Sequence, residues 1–204
     1  MLFYDSVGPN PRVVRMFAAE RGIELPSTRI DLRGGENRQP PYMAKNPAGQ
    51  MPALELDDGH ILAEITAICE YLDEVGPAGK TLIGSTAWER AETRMWTRRI
   101  DLNIVEPLLY GFRFAEGLKL FTGRIHLIPQ AADDFKQIAQ EKLTWLDGLI
   151  TGQDFICGSR LTLADILLFC FVDFGAQVGQ PINPANANIV AHHARMKARP
   201  SSAA

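Results

Sequence analysis

Two stretches of the chain place polar groups where a helix begins, and those are the positions at which the sequence could do chemistry. Glu64 precedes an apolar-periodic run, residues 66–75. The first turn of a helix carries unpaired N–H groups and the positive end of the helix dipole, a ready site for a carboxylate. The turn Ser6-Val7-Gly8-Pro9-Asn10-Pro11 opens the other candidate helix. Pro9 and Pro11 have no N–H, so few main-chain donors remain there and the Asn10 carboxamide gains weight, as a donor or as a helix cap. Ser6 and Tyr4 lie close to the same strand end. Farther along, Trp96, Tyr110, Phe112 and Phe114 concentrate aromatic surface around Pro107 and Gly111, which suits an apolar pocket as well as a core.

Other reactive side chains argue against chemistry of their own. Cys69, Cys157 and Cys170 are odd in number and widely spaced, so they indicate neither a disulfide framework nor a zinc site. Thr162 and Asp165 form an S/T-x-x-D pattern before an apolar run, a capping box whose role is folding. His192 and His193 have no i, i+4 spacing and no carboxylate partner in sight, and the expected reading is a solvated helix end.

The elements that must position these residues fall into two textures. Residues 2–4 predict a strand, Val13 to Gly22 a helix, Arg29 to Leu32 a second strand, 34–41 a loop, and Met51 to Leu56 a third strand. Asp57-Asp58-Gly59 is a hairpin signal leading to a strand at His60 to Ala63, followed by a helix from Thr66 to Val75. Pro77 to Ser85 reads as a linker. Beyond it the pattern is helical only: 88 to about 116, 131–150, 163 to about 178, and 189–198. The expected organisation is an α/β domain over residues 1–76 and an all-helical domain over 87–204.

Bulk properties narrow the function classes. The 204 residues are 46% hydrophobic and 22% charged, near the globular average, which excludes a collagen, a rod or a disordered chain. A net charge of -3 and a pI near 5.8 argue against a nucleic-acid binder or a polybasic membrane anchor. No secretory leader and no 18-residue apolar span are visible, so a cytoplasmic protein is expected.

Against this background one segment is specific. Residues 46–59, Asn-Pro-Ala-Gly-Gln-Met-Pro-Ala-Leu-Glu-Leu-Asp-Asp-Gly, followed by Ile-Leu-Ala-Glu-Ile-Thr-Ala-Ile at 61–68, resemble the glutathione-binding core of the cytosolic glutathione transferases. The family pattern is Asn-Pro-x-Gly-x-Val-Pro-x-Leu, an acidic hairpin, then Leu-x-Glu-Ser-x-Ala-Ile. The likeness extends over the chain, because residues 159–166 look like the family's helix-capping motif and residues 195–200 like its terminal signature. It implies a thioredoxin-like domain followed by a helical bundle, glutathione as co-substrate with no metal, and a homodimer that binds neither nucleic acid nor membrane.

Carried over position by position, the resemblance implies a cis bond between Met51 and Pro52, with the Met51 backbone pairing to the cysteinyl part of glutathione like an added strand. Glu64 and the N–H of Ile65 would hold the γ-glutamyl end. Ile65 stands where the family has Ser, and Thr66 is the nearest hydroxyl. Asn37, Arg38 and Gln50 match positions that hold the glycine carboxylate. Gly8 occupies the place of the usual thiol-activating Ser, leaving Asn10, with Ser6 and Tyr4 as alternatives, to steady the thiolate. Tyr110 and Phe114 would line the acceptor pocket, and Arg98, Arg99 and Asp101 would approach glutathione or a dimer mate. The implied activity is transfer of the glutathione thiol to a small electrophilic, apolar substrate, as in detoxification. Glutathione-dependent disulfide or peroxide reduction of the nu-like type, and a non-catalytic adaptor, are the alternatives.

Overall fold

A computed structural model describes all residues, 1–204. The chain divides into two units: Met1–Ile83 together with Pro200–Ala204, and Gly84–Arg199.

The first unit is built on a four-stranded sheet in the order β2-β1-β3-β4, with β1 at Leu2–Asp5, β2 at Ser27–Arg29, β3 at Ala53–Glu55 and β4 at Ile61–Ala63. β1 and β2 are parallel and joined through helix α1 (Pro9–Arg21); β1/β3 and β3/β4 are antiparallel. Alternation along β1 sends Tyr4 to one face and Phe3 to the other. Tyr4 and its cross-strand partner Ala53 join Ile30, Tyr42 and Met51 in a buried cluster. Phe3 pairs with Leu54 on the opposite face, both fully buried. Helices α1 and α3 (Ile65–Val75) pack together. A short α2 (Pro40–Met43) supplies Tyr42 to the Tyr4 cluster. The second strand lies at 27–29 rather than at 29–32: Thr28 pairs with Tyr4, and Ile30 leaves the ladder to be buried beside Tyr4.

The segment expected to be a linker, 77–85, is largely tied to the first unit. Asp73 in α3 accepts from the Leu82 N–H at 2.9 Å and from the Thr81 hydroxyl, and Leu82 and Ile83 are buried. Arg21, in the last turn of α1, closes the knot. Its Nε lies 2.9 Å from the Asp73 carboxylate, a charge contact without an aligned hydrogen. Its terminal nitrogen donates to the carbonyls of Asp73 and Pro77 at 2.9 and 3.1 Å. The last residues of the chain also pack on α1, with Arg12 donating to the Ser202 carbonyl at 2.8 Å.

The second unit contains α4 (Ala87–Ile100), α5 (Glu106–Arg113), α6 (Leu118–Phe121), α7 (Ala132–Leu149), α8 (Leu163–Gln177) and α9 (Ala187–Lys197). The single helix expected from 88 to about 116 is therefore interrupted. Pro107 has no N–H to give the carbonyl of residue 103, and the chain accommodates it with a π turn over Asp101–Val105. Helix α8 is buried around most of its circumference and begins with the expected capping box, the Thr162 N–H donating to Asp165 at 2.8 Å. No helix is long and apolar enough to cross a membrane.

The expectation for His192 and His193 is overturned. His192 is 2% exposed and its Nε2 lies 2.9 Å from the Asp165 carboxylate, while His193 is half-buried, 3.2 Å from Asp173. The physical reason lies in α8: two acids eight residues apart in an otherwise apolar helix need buried partners, and α9 supplies them.

Candidate functional site

Strand register brings three of the candidate segments to one end of the sheet. Tyr4 pairs with Ala53, and Ala53 with Ala63. The chain therefore leaves the sheet toward Ser6–Asn10, enters β3 from Met51–Pro52, and leaves β4 toward Glu64–Ile65, all at the same edge. Met51–Pro52 is cis, and both residues are buried.

At the first segment, α1 starts at Pro9 with no acidic residue in its first turn. The N-cap is Gly8 at φ 110°, a backbone conformation that L side chains rarely adopt and glycine takes readily. Asn10 is half-buried and second in the helix. Ser6 is differently placed: it is buried and its hydroxyl donates to the Ile30 carbonyl at 2.8 Å, so its only hydrogen is engaged. The Tyr4 hydroxyl donates to Glu55. Lys45 is 2.7 Å from the same carboxylate, and hydrogen bonds from Lys45 and Tyr4 hold the Glu55 carboxyl below its usual range. Arg15, which sequence reasoning missed, braces the turn by pairing with Asp5 at 2.5 Å.

At the second segment, the loop before Met51 is fixed from within. The Tyr42 hydroxyl and the Asn46 amide both donate to the Gln50 carbonyl, at 2.7 and 2.9 Å, and burial pushes the Tyr42 phenol up to about 12. Asn37 is 2% exposed and donates to the Gly49 carbonyl at 2.5 Å. That bond holds the loop. Gly49, at φ 60°, lies in the left-handed region that favours glycine, and a Cβ there would crowd the Asn37 carbonyl at 3.1 Å. Arg38 and Gln50 are exposed, with side chains turned to solvent.

At the third segment, Glu64 is the N-cap of α3 and the sole non-glycine residue of the chain with positive φ, 68° with ψ 121°. Its side chain is exposed and does not cap the helix. The first-turn N–H groups of Ile65 and Thr66 have no intrahelical partner and no acidic neighbour in that turn. Backbone held in such a region costs on the order of 1–3 kcal/mol and collects at functional sites.

In the second unit Tyr110 is half-buried, stacked on Phe114 at 5.5 Å and tilted against Phe135 at 5.2 Å. Phe114 itself is 4% exposed. It packs as a core ring beneath Tyr110. Trp96 meets Trp145 at 6.5 Å, with Arg99 over its ring; Arg98 is exposed and 3.7 Å from Asp101. All three cysteines are buried and none is in a disulfide, and burial pushes the Cys157 thiol up to about 11, far from a reactive thiolate.

The comparisons with known proteins agree along the whole chain. Residues 7–75 match the glutathione S-transferase N-terminal domain and residues 128–200 its C-terminal domain. Glutathione S-transferase 2 of Saccharomyces cerevisiae is 31% identical over 209 aligned residues, spanning 98% of this chain and 87% of its own. Among solved structures, a glutathione S-transferase domain-containing protein of Marinobacter aquaeolei superposes with a TM-score of 0.92 at 34% identity, covering 98% and 99% of the two chains. Gtt2 of Saccharomyces cerevisiae gives 0.91 at 29% identity, covering 98% of each. On these matches and this fold, the chain belongs to the glutathione S-transferase family.

Proposed function

We propose that the protein is a glutathione transferase whose thiol-activating group is Asn10. The observation that carries the reading is the convergence of the Asn10 turn, Met51–Pro52 and Glu64–Ile65 on one sheet edge through the register Tyr4–Ala53–Ala63. The cysteinyl backbone of glutathione pairs with Met51 as an added strand. The γ-glutamyl carboxylate takes the free N–H groups at the start of α3, with Thr66 as the only hydroxyl in that turn and Arg38 and Gln50 available to the glycine end. The Asn10 carboxamide donates to the sulfur. Ser6, whose hydrogen is engaged by Ile30, is displaced from that role.

The reaction is a substitution or addition at an electrophilic carbon. The thiol releases its proton to solvent, the sulfur lone pair forms the carbon–sulfur bond, and a leaving group, where present, departs with the electron pair of its bond. A donor that stabilises the thiolate raises its share at neutral pH, where it is the nucleophile. The surface of α4 supports a homodimer, and cysteines that are buried and outside any disulfide suit a reducing cytoplasm.

The test is glutathione binding by calorimetry, followed by turnover of 1-chloro-2,4-dinitrobenzene by wild type and Asn10→Ala. The expected result is binding in both and about a tenfold lower kcat/KM in the variant, about 1.4 kcal/mol of transition-state stabilisation. The pH at which half the maximal rate is reached should also rise. An unchanged rate and pH profile would remove Asn10 from the mechanism, and absence of glutathione binding would remove the transferase reading.

A further inference from the structure

Arg113 in the helical unit has no carboxylate partner of the kind that Lys136 and Arg160 have. Lys136 pairs with Glu116 and Arg160 with Glu92, each at 2.6 Å. Arg113, the last residue of α5, is half-buried, and no carboxylate lies within ion-pair distance of it. Its Nε is buried without an acceptor. Glu106, one heptad back on the same helix, acts on it only at longer range, and burial lowers the guanidinium's pKa from its ordinary value.

The surroundings are aromatic. The guanidinium carbon lies 5.5 Å from the Tyr110 ring centroid and 5.5 Å from that of Phe121. Contact with ring faces offsets part of the lost hydration but gives the planar fork nothing to bond. Such a fork matches a carboxylate with two parallel hydrogen bonds. Tyr110, stacked on the buried Phe114, offers an apolar surface beside it for the body of the same ligand.

We propose that the helical unit selects an anionic acceptor, an aromatic electrophile carrying a carboxylate, with Arg113 bonding the carboxylate and Tyr110 packing against the ring. The inference rests on the transferase reading for the chemistry that follows binding, but the anion site itself does not.

The probe is a matched pair, 4-chloro-3-nitrobenzoate and 4-chloro-3-nitrobenzamide, alike in shape and different in charge. Calorimetric titration of each into wild-type protein without glutathione is expected to show tighter binding of the benzoate. That preference should fall with added salt, fall at least tenfold in Arg113→Gln, and be restored to within about threefold in Arg113→Lys. With glutathione present, the ratio of kcat/KM for the two acceptors should move in parallel. The absence of any benzoate preference in the wild type, or a preference that survives in Arg113→Gln, overturns the proposal. Should Arg113→Gln fail to fold, the wild-type preference, its salt dependence and Arg113→Lys still decide. A preference that depends on Arg113 without any glutathionyl product would instead overturn the transferase reading and leave the anion site standing.

Discussion

Glu64 shows how a local conflict marks a site. Any fold could cap α3 with an unstrained Ser or Asp whose side chain accepts from the first turn. This chain holds a non-glycine residue at φ 68° instead, with its side chain in solvent, leaving the helix N–H groups for something else. Glu64→Gly separates the two consequences, because glycine adopts positive φ without steric cost. The variant should melt a few degrees higher, reflecting relief on the order of 1 kcal/mol offset by chain entropy, and bind glutathione several-fold more weakly. A lower melting temperature with unchanged binding would show that the strain serves folding alone. The motif around Glu64 was legible in the sequence, as was Met51–Pro52. The inward turn of Asn37 was not, because an Asn in a Gly-rich loop looks the same whether it bonds Gly49 or a ligand. The engaged hydroxyl of Ser6 was equally hidden, since its partner lies 24 residues away.

At the scale of elements, periodicity located helices well and their interruptions poorly. Pro107 was visible, yet a π turn preserves enough of the apolar stripe that 88–116 read as one helix. The partners of His192 and His193 required knowing that α9 packs on α8. Helix α4 carries a testable cap. Thr86 accepts from the Glu89 N–H at 3.1 Å, and the Glu89 carboxylate accepts from the Ser85 hydroxyl at 2.6 Å and N–H at 2.8 Å and from the Thr86 N–H at 3.1 Å. The Ser85 hydroxyl, then the Ser85 and Thr86 N–H groups, pull its carboxyl down to about 2. A depressed carboxyl contributes stability that is full above its unfolded pKa of 4.5 and is lost as pH falls through the folded value. The melting-temperature gap between wild type and Glu89→Gln should thus be constant from pH 7 to 5, narrow below pH 4.5 and close near pH 2. A gap that persists at pH 2 would assign the effect to shape rather than charge.

For the whole molecule, two features outside the site decide whether it can work. The Arg21–Asp73 pair is buried and ties α1, α3 and the segment through Ile83 into one unit. Removing one partner of such a pair leaves an uncompensated buried charge at a cost of about 3–5 kcal/mol, so Asp73→Ala should shift urea unfolding by that amount, whereas a shift below about 1 kcal/mol would show that water reaches Arg21. The second feature is the outer face of α4, where Trp88, 71% exposed, and Met95 stand one heptad apart, with Leu102 continuing the stripe into the π turn. An aligned row of large apolar side chains on one helix is more than the scattered exposure normal for a monomer. In a homodimer the same stripe on a second copy can cover it, as two-fold symmetry makes the patch self-complementary. Light scattering behind size exclusion should report twice the 22.6 kDa chain mass for wild type and a monomer for the Trp88→Glu, Met95→Glu double variant. Dimer retention in that variant would place the interface elsewhere on the surface and leave the α4 stripe without an occupant.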